Sequence, residues 1–212
     1  DIDYEPIKLQ YFDLALRKFI TKVNTTDYNN RYPEVVYGAD GSISYNHTKD
    51  PVLVTTGDIV TYTIRIYNEG EIAGYATGVK DNLPEGLAFD PENETNKQYG
   101  WKMLDKDGNV TEDIEKVVAF STDYLKDQLI EALVVENGAK VLSYKDVKIA
   151  FKVTEPNTSD RVLVNTAQIL EDSNDDVDSV PGNDVLTEDD IDREYVRVQY
   201  FDLSLKKWVT KT

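Results

Sequence analysis

A chain of 212 residues with 40% hydrophobic residues is long enough to bury its own core, and the absence of cysteine excludes a disulfide scaffold. A net charge of −17 repels phosphate backbones and excludes nucleic acid as an expected partner, while 14 Tyr and dense Val, Ile and Thr exclude the low-hydrophobicity class of disordered chains. No segment reads as a signal peptide, a membrane span or a wall-sorting motif, so direct membrane insertion is not expected.

The first element is one half of an internal duplication. Asp1–Val23, DIDYEPIKLQYFDLALRKFITKV, aligns without a gap on Asp190–Thr212, DIDREYVRVQYFDLSLKKWVTKT, with 13 identical positions at an offset of 189 residues. Most replacements keep the residue class, as in Phe19 against Trp208 and Ile20 against Val209. The expectation is one full period plus the opening of the next, as in a fragment of a longer array whose neighbouring repeats are its partners. The implied division is a sandwich over 1–170, a linker over 171–192 and the first strand of a following repeat over 193–212.

Strands are predicted where apolar residues alternate between turn residues. The opening strand puts Phe12, Leu14, Leu16, Lys18 and Ile20 on one face and Asp13, Ala15, Arg17 and Phe19 on the other. In GDIVTYTIRIYNEG, Val60, Tyr62, Ile64 and Ile66 share a face, and Asn68–Gly70 supply the turn. In YKDVKIAFKVTEP, Val147, Ile149, Phe151 and Val153 share a face. A late strand, RVLVNTAQIL, completes an all-β, immunoglobulin-like antiparallel sandwich. A short helical insertion is predicted in STDYLKDQLIEAL, where Leu125, Leu129, Ile130 and Leu133 fall on one face and Ser121 or Thr122 caps the start. The turn Asp105–Gly108 leads into it as a hairpin.

Three polar residues fall on inward faces. Lys18 stands in the apolar row of the opening strand; Asn165 stands among Leu163, Ala167 and Ile169; Asp81 shares a face with Val79 and Leu83 in GVKDNLPEGLAF. Each has a plainer reading: a lysine snorkelling at a strand end, a hydrogen-bonded core amide, an Asp capping the Pro84 turn. Together they suit a specific chemistry. Burial disfavours both the ammonium and the carboxylate, so a neutral Lys18 amine can attack the Asn165 carboxamide while a protonated Asp81 polarises its carbonyl and shuttles protons. The products are ammonia and an isopeptide bond.

GDIVTYTIRIYNEG followed by VKDNLPEGLAF, with FDLALRKFI before and LVNTAQI after, resembles the immunoglobulin-like repeat domains of Gram-positive surface proteins and pilins. The resemblance covers most of the chain and is weakest over 96–142. It implies a crosslink between Lys18 and Asn165 with Asp81 as the acid, and an extracellular, cell-wall or surface location. Asp58, Glu69 and Asp146 also lie near strands and stay open as alternative acids. Lys207 repeats the position of Lys18 and is expected to remain a free amine unless the terminal strand swaps into another molecule.

Ten of the 22 residues from Glu171 to Asp192 are acidic, the composition of a solvated, self-repelling linker. No cofactor is required, but Asp175, Asp176, Asp178, Asp189, Asp190 and Asp192 could gather round Ca²⁺, with Asp1 and Asp3 repeating the last two positions. No complete EF-hand spacing is present, so the linker reading is preferred. The single His47 gives no basis for a metal site or a triad. The expected function is a stalk or spacer repeat with no substrate turnover. The competing reading is an adhesin module that binds a glycan or host protein through a loop or the helical insertion, and an exposed aromatic cluster in the structure would favour it.

Overall fold

The computed structural model describes residues 4–156, 159–200 and 202–211. The strands are β1 (Leu14–Val23), β2 (Thr26–Asp27), β3 (Glu34–Tyr37), β4 (Ile43–Asn46) and β5 (Val52–Thr55). They continue with β6 (Ile59–Asn68), β7 (Ala76–Asn82), β8 (Leu87–Phe89), β9 (Lys102–Leu104) and β10 (Ala119–Thr122). The last are β11 (Val134–Glu136), β12 (Ala139–Val141), β13 (Ser143–Val153), β14 (Val162–Asp172) and β15 (Ile191–Gln199).

Two sheets enclose the core. One runs β2-β1-β6-β13-β8 and the other β5-β15-β14-β7-β10-β9. All pairings are antiparallel except β15 with β5. The predicted alternation is what buries the facing rows: Leu14, Leu16 and Ile20 of β1, Tyr62, Ile64 and Ile66 of β6, and Val147, Ile149 and Phe151 of β13 all lie in one core. The opposite face of β1 is also covered. The segment carrying the β3–β4 hairpin lays Tyr32 against Phe19 (5.1 Å between rings) and Tyr45 against Tyr67 (4.7 Å), with the Arg17 guanidinium 4.1 Å from the Tyr45 ring.

The helix predicted in STDYLKDQLIEAL does not form. Ser121 and Thr122 finish β10, and the chain then turns through Lys126 N–H to Asp123 O (3.1 Å) and Gln128 N–H to Leu125 O (3.0 Å). Leu125 and Ile130 are buried as the pattern required, but Ile130 exchanges both backbone hydrogen bonds with Gly74, an extended pairing that a helix cannot make. A helix this short is marginal alone, so the tertiary pairing prevails. The short helix lies instead at α1 (Glu94–Gln98), capped by the Asn93 side chain. Its Asn96 side chain binds both backbone groups of Ala150.

The acidic stretch is not a linker, and the division at residue 193 does not hold. Ile191–Gln199 is β15, hydrogen-bonded on one side to β14 and on the other to β5 within the same sandwich. The preceding acidic segment covers the stretch of the β1 edge that lies before its short pairing with β2 at Lys22 and Val23. Leu14 N–H donates to Asp176 Oδ2 (2.7 Å), Leu16 N–H to the Asp189 carbonyl (2.8 Å) and Lys18 N–H to Asp192 Oδ2 (2.7 Å). Alternate residues of a strand point their N–H groups to the same side, so three acidic residues close an exposed edge.

Candidate crosslinking site

Lys18, Asp81 and Asn165 converge between the two sheets, each 0% exposed. Lys18 is in register with Ile64 of β6 and points across the core from the five-stranded sheet. In the facing sheet Asp81 of β7 pairs with Ala167 of β14, which leaves Asn165 as its diagonal neighbour two residues earlier. Lys18 Nζ contacts Asp81 Oδ2, and Asn165 Nδ2 donates to Asp81 Oδ1 at 2.7 Å. Asn165 Nδ2 also donates to the Asn82 carbonyl at 2.7 Å, so two acceptors fix the orientation of the amide. Its Oδ1 is buried and has no hydrogen-bond partner among the described residues.

The lysine is held along its whole length. Its N–H is bound by Asp192, its carbonyl accepts from Lys49 Nζ at 2.8 Å, and its Nζ lies 4.8 Å from the centre of the Tyr62 ring. Burial pushes the Lys18 amine below its ordinary pKa, and the attraction of Asp81 opposes this without cancelling it. Burial likewise pushes the Asp81 carboxyl up, against the lowering effect of Lys18 and Asn165. Both shifts favour the uncharged pair, a neutral amine beside a protonated acid.

This arrangement differs in one respect from the sequence expectation. The amide nitrogen, not the carbonyl oxygen, faces Asp81. With one oxygen on the amine and the other on the amide nitrogen, the carboxyl group can accept a proton from the first and supply one to the second. None of the alternative acids reaches this place. Asp58 caps the Thr55 turn, Glu69 accepts from the Tyr45 hydroxyl at 2.6 Å, and Asp146 forms a two-point pair with Arg65.

Beside the triad lies a second buried polar group that the sequence reading missed. Glu194 is in register with Asn165, is fully buried, and accepts from Arg31 Nε at 2.8 Å, with Lys49 Nζ 3.5 Å from its other oxygen. Glu194 was legible, since it shares a face with Val196 and Val198 in REYVRVQ. Arg31 was not, because it sits in a 3₁₀ turn with no periodicity.

The six candidate calcium ligands scatter. Asp175 is exposed, Asp176 accepts from the N–H groups of Leu14, Asp178 and Ser179, and Asp192 is taken by Lys49 at 2.7 Å. Asp190 is buried, and neither carboxylate oxygen has a hydrogen-bond partner among the described residues. Only Asp178 and Asp189 come together, with Asp13, which the sequence reading had not included; oxygens of the three lie within 4.8 Å of one another. These are the residues that could hold a hard cation. Asp1 and Asp3 lie outside the described residues. His47 packs near Asp192, its Nε2 3.9 Å from the carboxylate.

No protein-family model and no curated protein sequence matches the chain. Among the described residues no helix is long and apolar enough to cross a membrane.

Proposed function

We propose that this chain is a structural repeat of a cell-surface stalk, of the kind found in Gram-positive surface proteins and pilins, and that it ties its own two sheets together by a Lys18–Asn165 isopeptide bond. The observation that carries this reading is a fully buried amine and a fully buried carboxamide ending on the same buried carboxyl group. Nζ of Lys18 attacks Cγ of Asn165; the Nζ–Cγ bond forms and the Cγ–Nδ2 bond breaks. Asp81 takes a proton from the amine at Oδ2 and supplies one to Nδ2 from Oδ1, so the nitrogen leaves as ammonia and the acid is regenerated. The product holds no buried charge, which removes the cost of an ion pair in the core.

The bond would close a loop of 148 residues, for which the chain-entropy argument gives about 5 kcal/mol. That is comparable with the whole stability of an ordinary domain, and it suits a chain without cysteine. The reaction is a single self-modification with no turnover. Intact mass under denaturing conditions tests it: the protein should weigh one ammonia less than its sequence, and a full sequence mass overturns the reading.

A second reading, a module that binds a glycan or a host protein, draws on Tyr32 and Tyr144, both partly exposed beside Arg65, whose guanidinium is 3.7 Å from the Tyr144 ring and 5.5 Å from the Tyr32 ring. Titration with immobilised glycans, compared between the native chain and Tyr144→Ala, separates it from the stalk reading. Calcium at Asp13, Asp178 and Asp189 is compatible with either.

A further inference from the structure

The duplicated segment does not behave as one element. In the second copy the first half, Ile191–Gln199, is the last strand of this sandwich; in the first copy the second half, Leu14–Val23, is its first strand. The described residues of the remaining halves, 4–10 and 202–211, stand outside any strand, and their apolar side chains face solvent: Ile7 and Leu9 are 86% and 84% exposed, Leu203 and Leu205 78% and 94%. The segment duplicated at an offset of 189 residues thus supplies, from its first half, the last strand of this sandwich and, from its second half, the first.

The chain is fixed on both sides of that transition. Gln199 is still in register with Thr55, and the Val198 carbonyl accepts from Arg161 Nε at 2.9 Å. In the first copy Tyr11, the counterpart of Tyr200, is already bound by the unit it begins: its carbonyl accepts from the N–H groups of Glu71 (2.8 Å) and Ile72 (3.1 Å). The approach is close enough to require glycine, since a Cβ on Gly70 would meet Tyr11 O at 2.8 Å and Asp13 N at 2.7 Å. Phe12 follows directly into the core.

The two ends of the unit are also opposite. Leu16 binds Asp189 and Lys18 binds Asp192, so β1 and β15 run in the same direction from one pole. The nine residues of β15 then carry the chain about 30 Å to the other pole, at ~3.3 Å per residue.

We infer that consecutive copies of this fold join end to end with no linker residue, the boundary falling between Gln199 and Tyr200. The occupant of the free pole is another copy whose first strand is supplied by Asp202–Lys211. Tyr200 is then held twice. Its ring lies 4.9 Å from the Arg161 guanidinium of the unit it leaves, and its carbonyl meets the counterparts of Glu71 and Ile72 in the unit it begins. Lys8, which corresponds to Arg197 of β15, contacts Glu71 across the same joint. The sequence between units leaves no free rotor, so the array is a stiff rod.

A tandem protein made by appending residues 24–199 after Thr212 contains two complete units and tests this. A spin label is placed at Asp107→Cys, in an exposed turn, in each unit, and the inter-label distance is measured by pulsed electron resonance. The expected result is one narrow distribution, whose width roughly doubles when a short Gly-Ser segment is inserted between Gln199 and Tyr200. A distribution already broad without the insertion, or one that the insertion leaves narrow, overturns the inference. The mass deficit of the same sample reports on the crosslink separately, so failure of either reading is distinguishable.

Discussion

Lys18 and Asn165 belong to opposite sheets, yet both side chains end on the two oxygens of Asp81. A bond between them would replace hydrogen bonds across the core with a covalent tie between β1 and β14.

Lys18→Ala, Asn165→Ala and Asp81→Ala should each give the full sequence mass. The first two remove a reacting atom, and the third removes the proton carrier. Loss of the tie should lower stability by about 5 kcal/mol. Mass spectrometry of the denatured chains decides this even for a variant that folds poorly. A mass deficit that persists in Asp81→Ala would assign the acid elsewhere.

The proposed tie would not include the last strand. In an end-to-end array, tension would enter through β1 and leave through β15, while the crosslink would join β1 to β14. The 34 residues from Thr166 to Gln199 should therefore stay extensible, and the 146 from Phe19 to Val164 should be shielded. At ~3.5 Å per residue, single-molecule pulling should release about 120 Å per unit, and about 500 Å more in Lys18→Ala. A native unit that releases the longer length has no such tie.

Lys207 tests the geometry from within. It repeats the position of Lys18 but is exposed, with no buried acid or amide beside it among the described residues. Amine-reactive labelling of the folded protein followed by peptide mapping should modify Lys207 and leave Lys18 unmodified. Labelling at Lys18 would show its amine to be free.

The acidic cover over β1 makes stability fall as pH rises. Burial and neighbouring carboxylates push Asp13 up to about 8, Asp190 to about 7 and Asp189 to about 6. Between the ordinary carboxylate range and these values the folded state holds protons that the unfolded chain has lost, so folding weakens from about pH 4 to about pH 8. His47, pushed down to about 4, acts the other way below its ordinary value, as a single group. Thermal melts should give a lower Tm at pH 8 than at pH 5. Calcium at Asp13, Asp178 and Asp189 should recover part of the loss, an effect that chelator reverses. A Tm that climbs across this range contradicts the assignment.

Arg31→Ala should destabilise the fold by up to roughly 3 kcal/mol, because it removes the hydrogen-bonded partner of the buried Glu194 carboxylate and leaves only Lys49, 3.5 Å away, to balance it. Glu194→Gln, which keeps the shape and removes the charge, should cost less. Denaturant melts of both variants check the order.

The alternation of apolar residues by itself determined the sandwich and the three inward polar groups, because a strand has period two and one face must be buried. Lys18, Asp81 and Asn165 were legible for that reason, as exceptions in apolar rows. Three things were decided only by tertiary structure. Ile130 pairs with Gly74 and so abandons a helix that its local periodicity allowed. Asp176, Asp189 and Asp192 take the free N–H groups of β1, so a stretch with the composition of a linker becomes part of the fold. And the duplicated segment is split between two units, since repetition gives a period but not the phase, which depends on the strands that hydrogen-bond to each half.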